Sequence, residues 1–182
     1  TQMQAYEDNL RALGQDLTYS ARPVTVETLQ SYHTRFMALW KELIREIVPD
    51  VTAILATATD EQIDELFENL ERQNQKFKEK YIDLPPEELI QNRQKRTVKH
   101  IKYWISRLNP DQTRAVAEWN SRLAPIAVEW LQNRVAVQAE ARSLLMRRND
   151  DSEFQAAMQD LIINPEKRRS IEYQCRIDIN TD

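Results

Sequence analysis

Residues 77–112 read FKEKYIDLPPEELIQNRQKRTVKHIKYWISRLNPDQ, and three helix boundaries are written in them. Leu84 precedes Pro85, and a proline ring pushes the residue before it out of the α region, so a helix arriving through Phe77 and Tyr81 ends there. Pro86 suits the first turn of the next helix, where its missing amide has no intrahelical partner to lose, and Glu87 and Glu88 complement the positive end of the helix dipole. Asn109 and Gln112 have capping-box spacing, with Pro110 between them at the first helical position. Helix, turn, helix, cap, helix is the pattern, and it sets an all-α reading for the chain.

Working backwards, Thr59-Asp60-Glu61-Gln62 is a second capping box and opens the helix that closes at Leu84. Its core face is expected at Ile63, Leu66, Phe67, Leu70, Phe77 and Tyr81, interrupted by Gln73 and Asn74. Before it, Val26, Leu29, Tyr32, Phe36, Leu39, Trp40, Leu43, Ile44, Ile47 and Val48 cover close to half a helical circumference. That width predicts the central, most buried helix, capped by Thr25 and running roughly 35 Å to Val48. Pro49 predicts a kink, or a restart through Val51, Ile54 and Leu55. Tyr6, Leu10, Leu13 and Leu17 share one face of a first helix, and a connection over residues 19–24 carries Pro23.

Working forwards, Val116, Trp119 and Leu123 lead to Pro125, and apolar positions resume at Ile126, Trp130, Leu131, Val135, Val137, Leu144 and Leu145. The expectation is one long helix kinked at Pro125. Ser152 with Gln155 predicts another cap, Asn164-Pro165 a stop, and Ser170 the cap of a last short helix through Tyr173 and Ile177. The expected fold is a single all-α domain over residues 1–182, a bundle of about seven or eight helices with kinks at Pro49 and Pro125.

Composition agrees with that class. Of 182 residues, 41% are apolar and 30% charged, and only Gly14 is glycine. Hairpins and phosphate-cradling loops draw on glycine for positive φ, so β-rich folds and nucleotide loops are disfavoured. The net charge of −4 offers no global attraction for nucleic acid, and nucleic acid is not an expected partner. Cys175, alone, cannot close an internal disulfide and reads as a small packed residue. The chain starts at Thr1, without an initiator methionine, from which a missing native N-terminal segment is expected.

His33 and His100 are the only histidines, and neither follows a glutamate by three residues as carboxylate-bridged di-iron bundles require. HExxH, paired cysteines and the GxSxG elbow are missing from the sequence. The sequence therefore nominates no catalytic, cofactor-binding or metal-binding residue and no cofactor, and a non-enzyme is expected. The four tryptophans, Trp40, Trp104, Trp119 and Trp130, sit at core-compatible spacing, while Arg142, Arg147, Arg148, Lys167, Arg168 and Arg169 read as exposed helix ends and loop.

The sharpest local feature is the basic helix expected over residues 87–108. On a helical wheel Leu89, Ile90, Thr97, Ile101, Trp104, Ile105 and Leu108 form its core side. Lys95, Arg96, Lys99, Lys102 and Arg107 fall opposite, with Tyr103 among them, a candidate face for an anionic headgroup, an anionic polymer or an acidic protein segment. The competing expectation is an internal charge match with Asp60, Glu61, Asp64, Glu65, Glu68 and Glu71 on the preceding helix.

Four segments, FKEKYIDLPPEEL at 77–89, WISRLNPDQ at 104–112, AEWNSRLAP at 117–125 and NPEKRRSIEYQCRI at 164–177, resemble a family of proteobacterial lipoproteins in order and spacing. That resemblance implies export and a lipid anchor on the periplasmic face of the cell envelope, at the outer membrane, with no activity to carry over. The lipid-bearing cysteine of that pattern is absent here, and Cys175 lies at the wrong end to replace it. Leu108-Asn109-Pro110-Asp111-Gln112 is also similar to the Leu-Thr-x-x-Gln motif of Spy-type periplasmic chaperones, with Asn for Thr. Together these imply a non-catalytic protein binder, a scaffold or chaperone-like factor with a protein partner, with anionic lipid or polymer binding as the alternative.

Overall fold

The computed structural model describes residues 2–19, 25–105, 107–148 and 151–181. Among them the fold is all-α: α1 (Gln2–Tyr19), α2 (Val26–Ala56), α3 (Asp60–Tyr81), α4 (Pro86–Ile105), α5 (Pro110–Arg122), α6 (Ala127–Leu145), α7 (Asp151–Ile163) and α8 (Ile171–Thr181). A short 3-10 helix, Pro165–Arg168, precedes α8. The connection around Pro23 lies outside the described residues.

The expected caps are in place. The Thr25 hydroxyl accepts from the Thr28 amide at 3.3 Å. At Thr59 the box closes both ways, the Gln62 amide donating to the Thr59 hydroxyl at 3.2 Å and the Thr59 amide to Gln62 Oε1 at 2.9 Å. Asn109 and Gln112 repeat it at 2.8 and 2.9 Å, and the Ser170 hydroxyl accepts from the Tyr173 amide at 3.1 Å. Each box satisfies two amide groups that a helix start would otherwise strand. At Ser152, α7 already begins at Asp151, and the Ser152 side chain on which the expected cap rests lies outside the described residues.

The prolines behave differently from one another. Pro49 interrupts nothing, since α2 is continuous from Val26 to Ala56 with Pro49 inside it, so the restart through Val51 does not occur. One turn on, the Thr52 hydroxyl lies 3.0 Å from the Val48 carbonyl and 2.9 Å from that of Pro49, a back-bond within the helix, whereas the carbonyl that loses its amide donor to Pro49 is that of Arg45. Pro125, by contrast, separates two helices, so the kink expected there is a break. Leu123 is extended at φ −64°, ψ 124°, Ala124 is biased out of the α region by the proline that follows it, and α6 starts afresh with the Trp130 amide on the Ile126 carbonyl at 2.9 Å.

The chain groups into two compact units, Thr1–Ala58 with Leu144–Pro165, and Thr59–Ser143 with Glu166–Asp182. In the first, α2 packs against α1 and α7, and the core is Val48, Thr52, Leu144, Leu145, Phe154, Met158 and Leu161. Arg148 ties this unit's two segments together, Nε donating to the Ala58 carbonyl at 2.9 Å. The expectation that α2 is the most buried helix fails: only Val48 and Thr52 on it are buried. α1 and α7 leave one side of it exposed. On that side Leu29, Met37, Trp40, Ile47, Val51 and Ile54 are exposed.

In the second unit α4 packs against α5, while α3 is joined to α6 by named contacts. The Phe77 and Trp130 rings stack at 4.4 Å. Asn74 Nδ2 donates to Gln138 Oε1 at 2.6 Å, and Arg134 Nη2 to Gln73 Oε1 at 3.2 Å. The two polar residues that broke the α3 stripe therefore both bond to α6. Ile63, Phe67, Asn120 and Tyr173 are the buried residues here. Trp119 is 51% exposed, so with Trp40 it departs from the expected core role, because α5 presents that position to solvent.

Candidate functional site

α4 carries the residues nominated from sequence. Lys95, Lys99 and Lys102 are exposed along it, and Tyr103 is 83% exposed among them. Arg96 is half-buried, its guanidinium 4.6 Å from the centre of the Tyr81 ring, over which Lys80 also sits at 5.2 Å. Tyr81, at the end of α3, thus engages cations of both helices. Arg107 is not on the helix: α4 ends at Ile105, and Arg107 stands in the linker that Asn109, extended at φ −75°, ψ 170°, delivers into α5. On the expected core side Ile90 is 45% exposed, and the side chains of Trp104 and Ile105 lie outside the described residues.

The internal charge match with α3 does not form. Among the described residues, no carboxylate makes an ion pair with Lys95, Arg96, Lys99, Lys102 or Arg107. Asp64 instead pairs with Arg142 of α6 at 2.6 Å, and Glu68 with Arg72 on its own helix at 3.6 Å. The physical reason is the packing: α3 turns these carboxylates toward α6 and along its own surface, whereas α4 faces α5. What remains on α4 is a positive arc, with Glu88 as a carboxylate near its first turn.

Beneath this face lies a polar group that sequence reading missed. Asn120, 1% exposed, carries a backbone carbonyl that accepts from Arg93 Nη2 at 2.6 Å, and its Nδ2 donates to the Val116 carbonyl at 2.9 Å. Burial, with help from Arg96, pushes the Arg93 guanidinium below its ordinary value, and its Nε is buried without a partner. The signal available in sequence was Asn120 lying four residues after Val116 and three before Leu123, on the apolar stripe itself.

A groove of about 690 Å³ opens between α3 and α6. Phe67, Leu131, Val135 and Ala139 give it an apolar floor, and Glu68, Glu71, Arg72, Lys78 and Arg142 a charged rim. Among the described residues no group of three or more His, Cys, Asp or Glu side chains gathers to hold a metal, and no helix is long and apolar enough to cross a membrane. Cys175 is exposed rather than packed. Of the cations read as exposed, Arg148 is half-buried and bonded as described, and Arg168, whose side chain is 17% exposed, pairs with Glu140.

The structure thus defines an all-α protein with an exposed apolar helix face in one unit and, among the described residues, a basic face without carboxylate ion pairs in the other. Residues 1–174 match a family of unknown function (DUF6279), and the chain belongs to that family. No curated protein and no solved structure matches it.

Proposed function

We propose that this protein is a non-catalytic component of the cell envelope that works by binding protein, as a scaffold or chaperone-like factor, through the exposed face of α2. The observation that carries this reading is the run of large apolar side chains left in solvent along one helix, from Val26 at 66% exposed to Ile54 at 70%. Contiguous apolar surface beyond a few hundred Å² is what interaction sites leave exposed. Attachment to the periplasmic face of the outer membrane, through a lipid anchor outside this chain, is supported by the resemblance to proteobacterial lipoproteins. Light scattering of a heat-unfolded client protein tests the reading. Wild-type protein should suppress the scattering, and Trp40→Asp should not; a wild type that leaves scattering unchanged would sink it.

A second reading, binding of an anionic lipid or polymer, is favoured by Lys95, Lys99 and Lys102 having no carboxylate partner among the described residues. Cosedimentation with phosphatidylglycerol vesicles should fall steeply between about 50 and 200 mM salt and with Lys99→Glu. Soluble polyphosphate as competitor separates a polymer ligand from a lipid one. Binding indifferent to salt and to Lys99→Glu removes this reading.

A further inference from the structure

Met37, Trp40, Ile44, Ile47, Val51 and Ile54 recur on α2 at alternating spacings of three and four, the a/d repeat by which one helix packs along another. At about 100° per residue they fall within an arc of about 100°. Five of the six are between 37% and 70% exposed, and Ile44 is half-buried. The arc is flanked by half-buried Tyr32, Phe36, Leu39 and Leu43 on one side and buried Val48 and Thr52 on the other. None of the six is charged, so covering them desolvates no ion.

We propose that this seam pairs antiparallel with the same seam of a second copy, about a two-fold axis level with the Arg45–Glu46 peptide bond. The inference rests on the protein-binding reading of α2 and names its partner. In this register Ile44 of one copy meets Ile47 of the other, Trp40 meets Val51, and Met37 meets Ile54, so that the bulkiest side chain faces one of the smallest. A parallel pair would set Trp40 against Trp40 in one layer.

The polar residues decide the orientation independently. Toward the N-terminus the same repeat continues into Gln30 and His33, both exposed. In a parallel pair they would form two polar layers inside the seam. In the antiparallel register they fall level with positions past Ala56, the last residue of the partner helix, and so outside the helix–helix seam. The apolar part of the repeat is therefore the part an antiparallel copy covers. The exposed portions of the six side chains amount to on the order of 500 Å² per copy; with their polar borders they approach the ~800 Å² per partner of a standard interface. The two-fold makes the contact self-complementary and closed, leaving no second face for further addition.

Analytical ultracentrifugation at on the order of 100 µM chain should show a dimer. Ile47→Asp should convert it to a monomer with unchanged helical circular dichroism, while Ile90→Asp, at an exposed site on α4, should leave the dimer intact. A spin label at exposed Thr34, in a Thr34→Cys, Cys175→Ser chain, reads the orientation. The antiparallel pair separates the two labels by about 35 Å along the axis, a parallel pair by about 10 Å. A monomeric wild type, a dimer that survives Ile47→Asp, or a short label distance each overturns the proposal. Client scattering keeps the two readings apart. A monomer that still suppresses aggregation, and loses this with Trp40→Asp, leaves protein binding standing and defeats only the second copy; a monomer that suppresses nothing defeats both.

Discussion

Arg93 caps the C-terminal end of α5 from a neighbouring helix: its Nη2 donates to the Asn120 carbonyl at 2.6 Å, two residues before α5 ends at Arg122. That carbonyl belongs to the last turn, whose oxygens have no intrahelical amide to accept from, and a cation there also complements the negative end of the dipole. Thr97 closes the arrangement, its hydroxyl donating to the Arg93 carbonyl at 3.1 Å beside Asn120 Oδ1 at 3.5 Å. The α4–α5 pair is thus fixed by a charge on a buried polar group as well as by apolar packing.

Arg93→Met keeps the length of the side chain and removes the donor. The expected loss is about 1.5–3 kcal/mol, the range for a hydrogen bond to a charged group, read as a lower urea midpoint with unchanged slope. Arg93→Lys should recover part of it. A neutral Arg93→Met would mean that the Asn120 carbonyl finds water as readily as the guanidinium.

Arg168 grips Glu140 with two hydrogen bonds, Nε to Oε2 at 3.1 Å and Nη2 to Oε1 at 2.8 Å, with the arginine side chain 17% exposed. A planar fork meets a carboxylate in this way and an ammonium does not. Arg168→Lys should therefore cost about 1–2 kcal/mol by urea denaturation, although the charge is kept. Asp111 with Arg114, at 3.3 Å and with side chains 87% and 70% exposed, is the contrast: Arg114→Ala should change stability by less than about 0.5 kcal/mol.

Helix starts were legible because they are local. Thr59, Asn109 and Ser170 each satisfy amides within four residues, so the chemistry of the cap can be read without knowing what lies across from it. Pro85 and Pro165 were legible for the same reason. Partner choice was not. The apolar breadth of α2 was read as burial, yet a helical wheel shows only that a residue is available to pack, and α1 and α7 leave one side of α2 exposed. The α4 cations were read against the α3 carboxylates by charge alone, while Gln73 and Asn74, which seemed to spoil the α3 stripe, are what orient α3 toward Arg134 and Gln138. Pro125 stands between two helices where Pro49 stands inside one, and the chain has already left the helix at Leu123, extended two residues before Pro125.

The core of the second unit is narrow and centred on Ile63, which is 1% exposed. Ile63→Ala should cost about 2–5 kcal/mol, the loss of transfer energy plus a cavity that the backbone cannot fully collapse. Ile90→Ala, on a face 45% exposed, should cost under about 1 kcal/mol. Equal effects from the two would place the core elsewhere than on α3.

The helix starts also carry a pH dependence whose sign is fixed. The Glu61 carboxylate is held below its ordinary value of 4.5, mainly by accepting from its own backbone amide and next by the Thr59 hydroxyl, against small opposition from desolvation and Asp60. Glu27 is lowered in the same way by its own amide and Thr25. A carboxylate whose folded value lies below its unfolded one stabilises the fold fully above the unfolded value, and that contribution is lost as pH falls through the folded one. Glu61→Gln should accordingly lower the urea midpoint near neutrality, with the gap to wild type closing once pH drops below 4.5. Titrating both chains from about pH 7 to about pH 3 checks it; a gap that stays constant, or that opens only in acid, would show that the Glu61 carboxylate takes no part in the cap.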